Sequence, residues 1–332
     1  GVGWVLAGCF AAFAVDGLFG FNMRVPVSGG LFFLCFGVLD GVRHGDTPAS
    51  ETGGKRKPAA LALPVALAAL AVFCTVFETR SFLGERHFQR AQGALHWARQ
   101  NPDDARRAAF YREAARTALL EGWRLLPWDA RFPRQLGQVE LARRNFEQAV
   151  AYFKAAIRAF PCHPEMMVSL SQAYINYALS VLNPDAGGET DDEVFHQRLD
   201  AARRAAEKAR GFAPHYAEAH EALGRVAFLR GVRLRERPRE AGPHWRAAAE
   251  ALERALELGA PDRATLHRML GQAYIHLDNA DAAESALRLA VEAGPTHLES
   301  WQLFQRFAED FDRHAAFTDA LARAQGRLKA RE

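Results

Sequence analysis

The sequence predicts an all-α protein in which transmembrane helices are followed by an α-solenoid of helix-turn-helix repeats. Three observations predict it. The long uncharged runs of the 332-residue chain lie before Glu78. Beyond that point the chain is rich in Ala, Arg, Glu and Leu, the residues of solvated helices. One spacing of small and large residues occurs twice in full, around Gly137 and again around Gly271.

The uncharged runs come first. Crossing about 30 Å of hydrocarbon takes about 20 mostly apolar residues in a helix that satisfies its own backbone. Pro58 to Phe77 contains no charge and is the strongest candidate, expected as a transmembrane helix over 58–79. Residues 2–21 are as apolar but include Asp16, and 25–39 are uncharged but short, so 1–42 is expected as a transmembrane hairpin. An acid inside a membrane segment usually faces protein or water, which makes Asp16, with Arg24 of the hairpin turn, a candidate polar pair. The plainer alternative is an interfacial Asp reaching the headgroups. The linker 43–57 carries Arg43, Lys55, Arg56 and Lys57 and is placed in the cytoplasm by the positive-inside tendency. Everything after Arg80 is then extracytoplasmic. The chain opens on Gly-Val-Gly-Trp, already inside an apolar run, as a piece of a longer protein does.

The repeats follow, over 80–332. In residues 130–163, Leu136-Gly137 is followed by Ala149, Phe153, Ala156 and Pro161. In 264–297, Leu270-Gly271 is followed by Ala283, Leu287, Ala290 and Pro295 at identical offsets. Small residues belong where two helices approach closely, large ones fill the gap to the next unit, and the proline stops the second helix. This pattern resembles the tetratricopeptide repeat, a helix-turn-helix unit of about 34 residues. Two stretched copies lie between the clean ones. One starts near Pro164 and resumes at Ala201 after an insertion containing Asn183-Pro184-Asp185-Ala186-Gly187-Gly188. The other has Leu223-Gly224, an Arg-rich insertion at 231–243, then Ala248, Leu252 and Ala255. A degenerate unit with Ala115, Leu119 and Trp123 precedes them, and helices over 297–330 are expected as a C-terminal cap. That makes about five helix pairs plus the cap. The resemblance implies a curved stack whose first helices line a concave face. One turn either side of each Leu-Gly, that face carries Arg134, Gln138, Gln172, Glu221, Arg225, Arg268 and Gln272. Such a polar ladder suits a protein partner or an extended glycan, or is simply a solvated face.

Several classes of chemistry are set aside. The net charge is only +3 and basic residues alternate with acidic ones, which argues against a nucleic-acid partner. Cys9, Cys35, Cys74 and Cys162 show no CxxC spacing and read as buried small apolar residues. The twelve histidines form no HExxH, and there is no GxSxG and no phosphate-cradling loop, so no metal or cofactor is expected, nothing in the repeat region argues for chemistry, and any catalytic residue is left unassigned.

The run from Asp16 through Phe21-Asn22-Met23-Arg24-Val25-Pro26 to Leu39 resembles the closing transmembrane hairpin of the O-antigen ligase and polymerase family. The likeness covers about residues 2–42, and the order of parts (hairpin, one more helix, tetratricopeptide domain) extends it to the whole chain. It implies a bacterial inner-membrane parent that transfers or polymerises polyprenyl-diphosphate-linked glycans without metal or nucleotide, with the repeats in the periplasm. The catalytic loop of that family has no counterpart here. A membrane-anchored repeat scaffold without enzymatic activity is the alternative. Membrane lipid is the expected partner of the apolar segments in either case.

Overall fold

The computed structural model describes residues 59–101, 104–181 and 192–329. Asp16, Arg24, the expected hairpin 1–42, the linker and the insertion around Asn183 to Gly188 lie outside the described residues. Twelve helices are described: α1 (Ala59–Gln100), α2 (Ala105–Leu125), α3 (Arg131–Ala142), α4 (Phe146–Ala159), α5 (Pro164–Val181), α6 (Asp192–Phe212), α7 (Ala217–Arg233), α8 (Pro238–Glu257), α9 (Arg263–His276), α10 (Ala280–Ala293), α11 (Leu298–Asp310) and α12 (His314–Lys329). They pair consecutively into five hairpins and a terminal pair, α11–α12, where the cap was expected. The chain divides into two compact units, 1–128 and 129–332.

In the first unit α1 is one unbroken helix of 42 residues, running through residue 79 where the sequence put the end of a membrane span. Among the described residues no helix is long and apolar enough to cross a membrane. The second half of α1 packs on α2 through small residues: Ala91, Ala98, Ala108 and Ala115 are buried, and Gly84 lies against the Leu126 side chain. Asp104 starts α2 by accepting the Arg107 backbone N–H at 2.9 Å, filling one of the donors a helix start leaves open.

The second unit repeats one turn geometry. Helices α3, α9 and α11 each end on a residue with positive φ, namely Arg144, Asp278 and Asp312. The following backbone N–H closes back five residues, Asn145 to Glu140 O at 2.9 Å, Asn279 to Tyr274 O at 3.0 Å and Arg313 to Ala308 O at 2.9 Å. This left-handed closure satisfies helix-end carbonyls and turns the chain into the second helix of the pair. Asn279 then caps α10 through its side chain, which accepts the Ala282 N–H.

The Leu-Gly register sets the packing of each pair. A Cβ on Gly137 would meet the Phe153 ring at 2.8 Å, and one on Gly271 would meet Leu287 at 2.7 Å. These are the positions 16 residues on that the pattern named as gap fillers. In the stretched α7–α8 pair the partner of Gly224 is Leu252, and Gly231 abuts Trp245 a further two turns along. The Arg-rich insertion is thus mostly absorbed by lengthening both helices. In α5 the register position is Ser171, which is buried and donates its hydroxyl to Ala202 O at 2.9 Å. A side chain fits there because the facing residue is an alanine.

Apolar contact continues from pair to pair. Tyr174 packs in the cluster of Ala149, Val150, Phe153 and Ala173 and also beside Ile175, Phe195 and Leu199. Tyr274 likewise joins the Trp245–Leu266 cluster to that of Leu287, Phe304 and Phe307. Each pair therefore buries its apolar stripes only with its neighbours, as a stacked repeat requires.

Candidate binding face of the repeat array

The face formed by the first helices, α3, α5, α7, α9 and α11, is built by a recurring register. One residue after the glycine position stand Gln138, Gln172, Arg225 and Gln272; three residues before it stand Arg134, Glu221 and Arg268. All seven sequence-derived candidates are partly exposed on these helices. Several meet across the helix boundaries. Arg134 pairs with Glu165 in the first turn of α5. Arg268 pairs with Glu299 in the first turn of α11 at 3.2 Å. Arg225 holds Glu221 at 2.8 Å, donates to Gln172 Oε1 at 3.3 Å and lies 3.8 Å from Asp262, the N-cap of α9. Gln172 also donates to Asn176. Gln138 and Gln272 make no side-chain hydrogen bond to another described residue, so their amides remain free for a ligand.

The acidic partners Glu165, Asp262 and Glu299 were not in the candidate set. Their signal was present, because an acid at a helix start one repeat beyond each arginine is where the helix N-terminus also favours negative charge. Burial raises the carboxyl pKa of Glu221 above its usual value, partly countered by the Arg225 guanidinium. The rung of α7 pairs two residues of one helix, Glu221 and Arg225, whereas Arg134 and Arg268 reach to the next first helix.

Arg230 and Arg233 of the Arg-rich segment turn back onto α6, to Asp200 at 2.6 Å and to Asp192. Burial works against ionisation of Asp200, but the hydrogen bond and charge of Arg230, with Arg203 and Arg204 nearby, outweigh it and hold the carboxyl below its ordinary range. The expectation that cysteines are buried small residues fails for Cys162, a free, exposed thiol in the α4–α5 turn, where no neighbouring element covers it. His220 Nε2 bonds Pro214 O at 2.9 Å. Among the described residues no three His, Cys, Asp or Glu side chains gather to hold a metal. A cavity of about 510 Å³ lies between the start of α9 and the end of α10, lined by Asp262, Arg263, His267, Leu289 and Glu292 among others.

Residues 134–177 and 243–297 match the family model of the tetratricopeptide repeat. Those two stretches are tetratricopeptide repeats, a class of unit that serves protein–protein interaction, and the helices between them continue the same paired packing. No curated protein matches the chain. Among solved structures it is similar to TTC0263, a tetratricopeptide protein of Thermus thermophilus, at 21% identity and TM-score 0.47 over 66% of this chain and 97% of that one. It is also similar to PilF of Pseudomonas aeruginosa, at 17% identity and TM-score 0.48 over 76% and 93%. YrrB, described as a tetratricopeptide protein with an unusual peptide-binding site, is 16% identical with TM-score 0.38 over 64% and 97%.

Proposed function

We propose that the first-helix face of residues 129–332 docks the main chain of an extended segment of a protein partner. The observation that carries this reading is the register of Gln138, Gln172 and Gln272, in which the amides of Gln138 and Gln272 make no side-chain hydrogen bond to another described residue, while Gln172 and Arg225 between them are tied to each other. Packed helices stand about 8–10 Å apart, and an extended chain rises about 3.4 Å per residue. One rung therefore meets about every third peptide unit. A glutamine amide offers both a donor and an acceptor, the complement of a peptide N–H and C=O, so it recognises backbone whatever the side chain. Selection of phage-displayed random peptides on the full chain in lipid nanodiscs tests this. Binders should be recovered and should lose affinity for the double variant Gln138→Ala, Gln272→Ala. Undiminished binding by the variant would overturn the assignment of this face.

The reading extends to where the array works. We infer that it is tethered to a bacterial inner membrane on the extracytoplasmic side. Support comes from the uncharged first nineteen residues of α1, Ala59 to Phe77, and from the Lys55-Arg56-Lys57 cluster before them. An O-antigen ligase-like parent, with a polyprenyl-linked glycan as its substrate, rests on the likeness of residues 2–42 and on the order of parts; the family match itself falls only on the repeats. Cys162 provides the test of sidedness. With Cys9, Cys35 and Cys74 replaced by Ser, an impermeant maleimide should label intact spheroplasts, and protection until lysis would reverse the orientation.

A further inference from the structure

We propose that the tip of the α1–α2 hairpin, Pro127-Trp128 with Phe73, Phe77 and Phe82 of α1, beds in the interfacial layer of the membrane. The proposal rests on the membrane-tether reading and says how the first unit stands on that membrane. From Ala59 to Phe77 there are nineteen helical residues. At about 1.5 Å per residue they extend for about 28 Å. The first charges follow at once, Glu78 and Arg80. If α1 enters the bilayer, its water-side boundary falls at Phe77.

The α1–α2 hairpin returns to that same level. Helix α2 runs back along α1, with His87 beside Glu121 at 3.1 Å and Gly84 beside Leu126. The turn that ends it lays the Trp128 ring on Phe77, centroids 5.6 Å apart and planes 7° from parallel. This aromatic pair is not a core contact. Trp128 remains 52% exposed and Phe77 43%. The Trp128 indole N–H has no partner among the described residues. Tryptophan with an apolar ring to bury and an N–H to satisfy is the residue best served where lipid meets water.

The arrangement favours lipid over a protein partner. Phe73 is 66% exposed and Phe82 70%. At about 100° per residue, nine residues place them on opposite sides of α1. Val72 and Val76 are exposed as well. Val72, Phe73, Val76 and Phe77 share roughly 140° of the circumference and Phe82 lies on the other side, so the exposed apolar residues do not form one stripe. A partner helix covers a stripe; a bilayer surrounds the whole circumference. Arg80, exposed one turn beyond Phe77, stands where headgroup phosphates would lie.

The test uses the full chain, with its native cysteines replaced by Ser, in phosphatidylethanolamine/phosphatidylglycerol vesicles. An environment-sensitive fluorophore is attached in turn at Val72→Cys, Pro127→Cys and Glu309→Cys. The label at 127 should be quenched several-fold more strongly by a headgroup-bound nitroxide than the label at 309, and the label at 72 by an acyl-chain nitroxide. Quenching at 72 with none at 127 above the 309 level would leave the tether standing and overturn this proposal, since the hairpin tip is then covered by protein or held away from the surface. Absence of quenching at both 72 and 127 would remove the tether reading and the proposal together.

Discussion

Adding one methyl group at Gly137 tests whether the glycine register is a packing requirement. A Cβ there would lie 2.8, 2.8 and 2.9 Å from three ring atoms of Phe153. Phe153 is fully buried among Ala149, Val150 and Ala173, so the ring has no solvent-side route of escape. Overpacking of this kind costs about 1–3 kcal/mol. The substitution also gains helix propensity, about 1 kcal/mol for Gly→Ala in a helix interior. Steric cost prevails because the ring cannot move aside, and Gly137→Ala should destabilise the array by up to about 2 kcal/mol. Gly211, at the end of α6 with nothing within 4 Å of its Cβ position, is the control; Gly211→Ala should be neutral or stabilise by a few tenths. Urea titration of the full chain in nanodiscs, followed by far-UV circular dichroism, reads both.

A double-mutant cycle isolates the contact. Phe153→Ala alone removes a buried ring and costs about 3–5 kcal/mol, but with the ring gone the methyl at 137 meets no obstacle. Gly137→Ala should then be stabilising in the Phe153→Ala background, a coupling of about 1–3 kcal/mol. A variant Gly137→Ala as stable as the parent, or an additive cycle, would refute the argument that the close approach of α3 and α4 demands glycine.

Further predictions concern the turns, the register serine and titration. Arg144 holds φ 62°, a conformation that costs an ordinary residue about 1–2 kcal/mol, so Arg144→Gly should raise the urea midpoint slightly despite the added freedom of the unfolded chain. Ser171→Ala gives up the hydrogen bond to Ala202 O and should cost about 1 kcal/mol, far less than Ser171→Leu, which overfills the same contact. Burial, reinforced by nearby arginines, lowers the pKa of His244, His267 and His276. The unfolded chain therefore takes up these protons first, and stability should fall as pH drops below about 6.5, the reverse of a paired histidine. Glu221, whose pKa is raised, opposes this at lower pH because the folded state takes its proton first. A urea midpoint that rises between about pH 7 and pH 5.5 would contradict the assignment of these histidines as neutral in the folded chain.

The parts of the fold legible in the sequence were those fixed by close helix contact. Gly137 with Phe153 and Gly271 with Leu287 are short-range pairings whose spacing survives any change on the surface, so they could be read directly. The pair at Gly224 was legible only as a stretched copy, because lengthening α7 and α8 moved its partner to Leu252 and put Trp245 against Gly231. The pairing of α5 with α6 was partly concealed, since Ser171 replaces the glycine and is accommodated by Ala202, a residue beyond the insertion. The ladder residues followed from helical register alone. Their acidic partners did not, because Glu165, Asp262 and Glu299 lie at helix starts outside the repeat's apolar signature, and which helix start faces which arginine is a property of the stacking.

That stacking bears on what the face can recognise. Arg225, the one cation on the Gln rungs, is already held by Glu221, Gln172 and Asp262, while Arg134 and Arg268 are paired with Glu165 and Glu299. A charged ligand would have to displace these internal partners and leave a carboxylate unpaired, whereas a neutral peptide backbone needs only the amides of Gln138 and Gln272. Binding through those amides should therefore change little with ionic strength, since screening over a Debye length of about 10 Å at 0.1 M acts on charges and not on amide hydrogen bonds. Titrating a selected peptide without charged side chains against the full chain at about 0.05 M and about 0.5 M salt measures this. Affinity within about threefold across that range is the expected result, and a steep decline would mean that ion pairs open to admit the ligand, making the arginines rather than the glutamines the recognition elements.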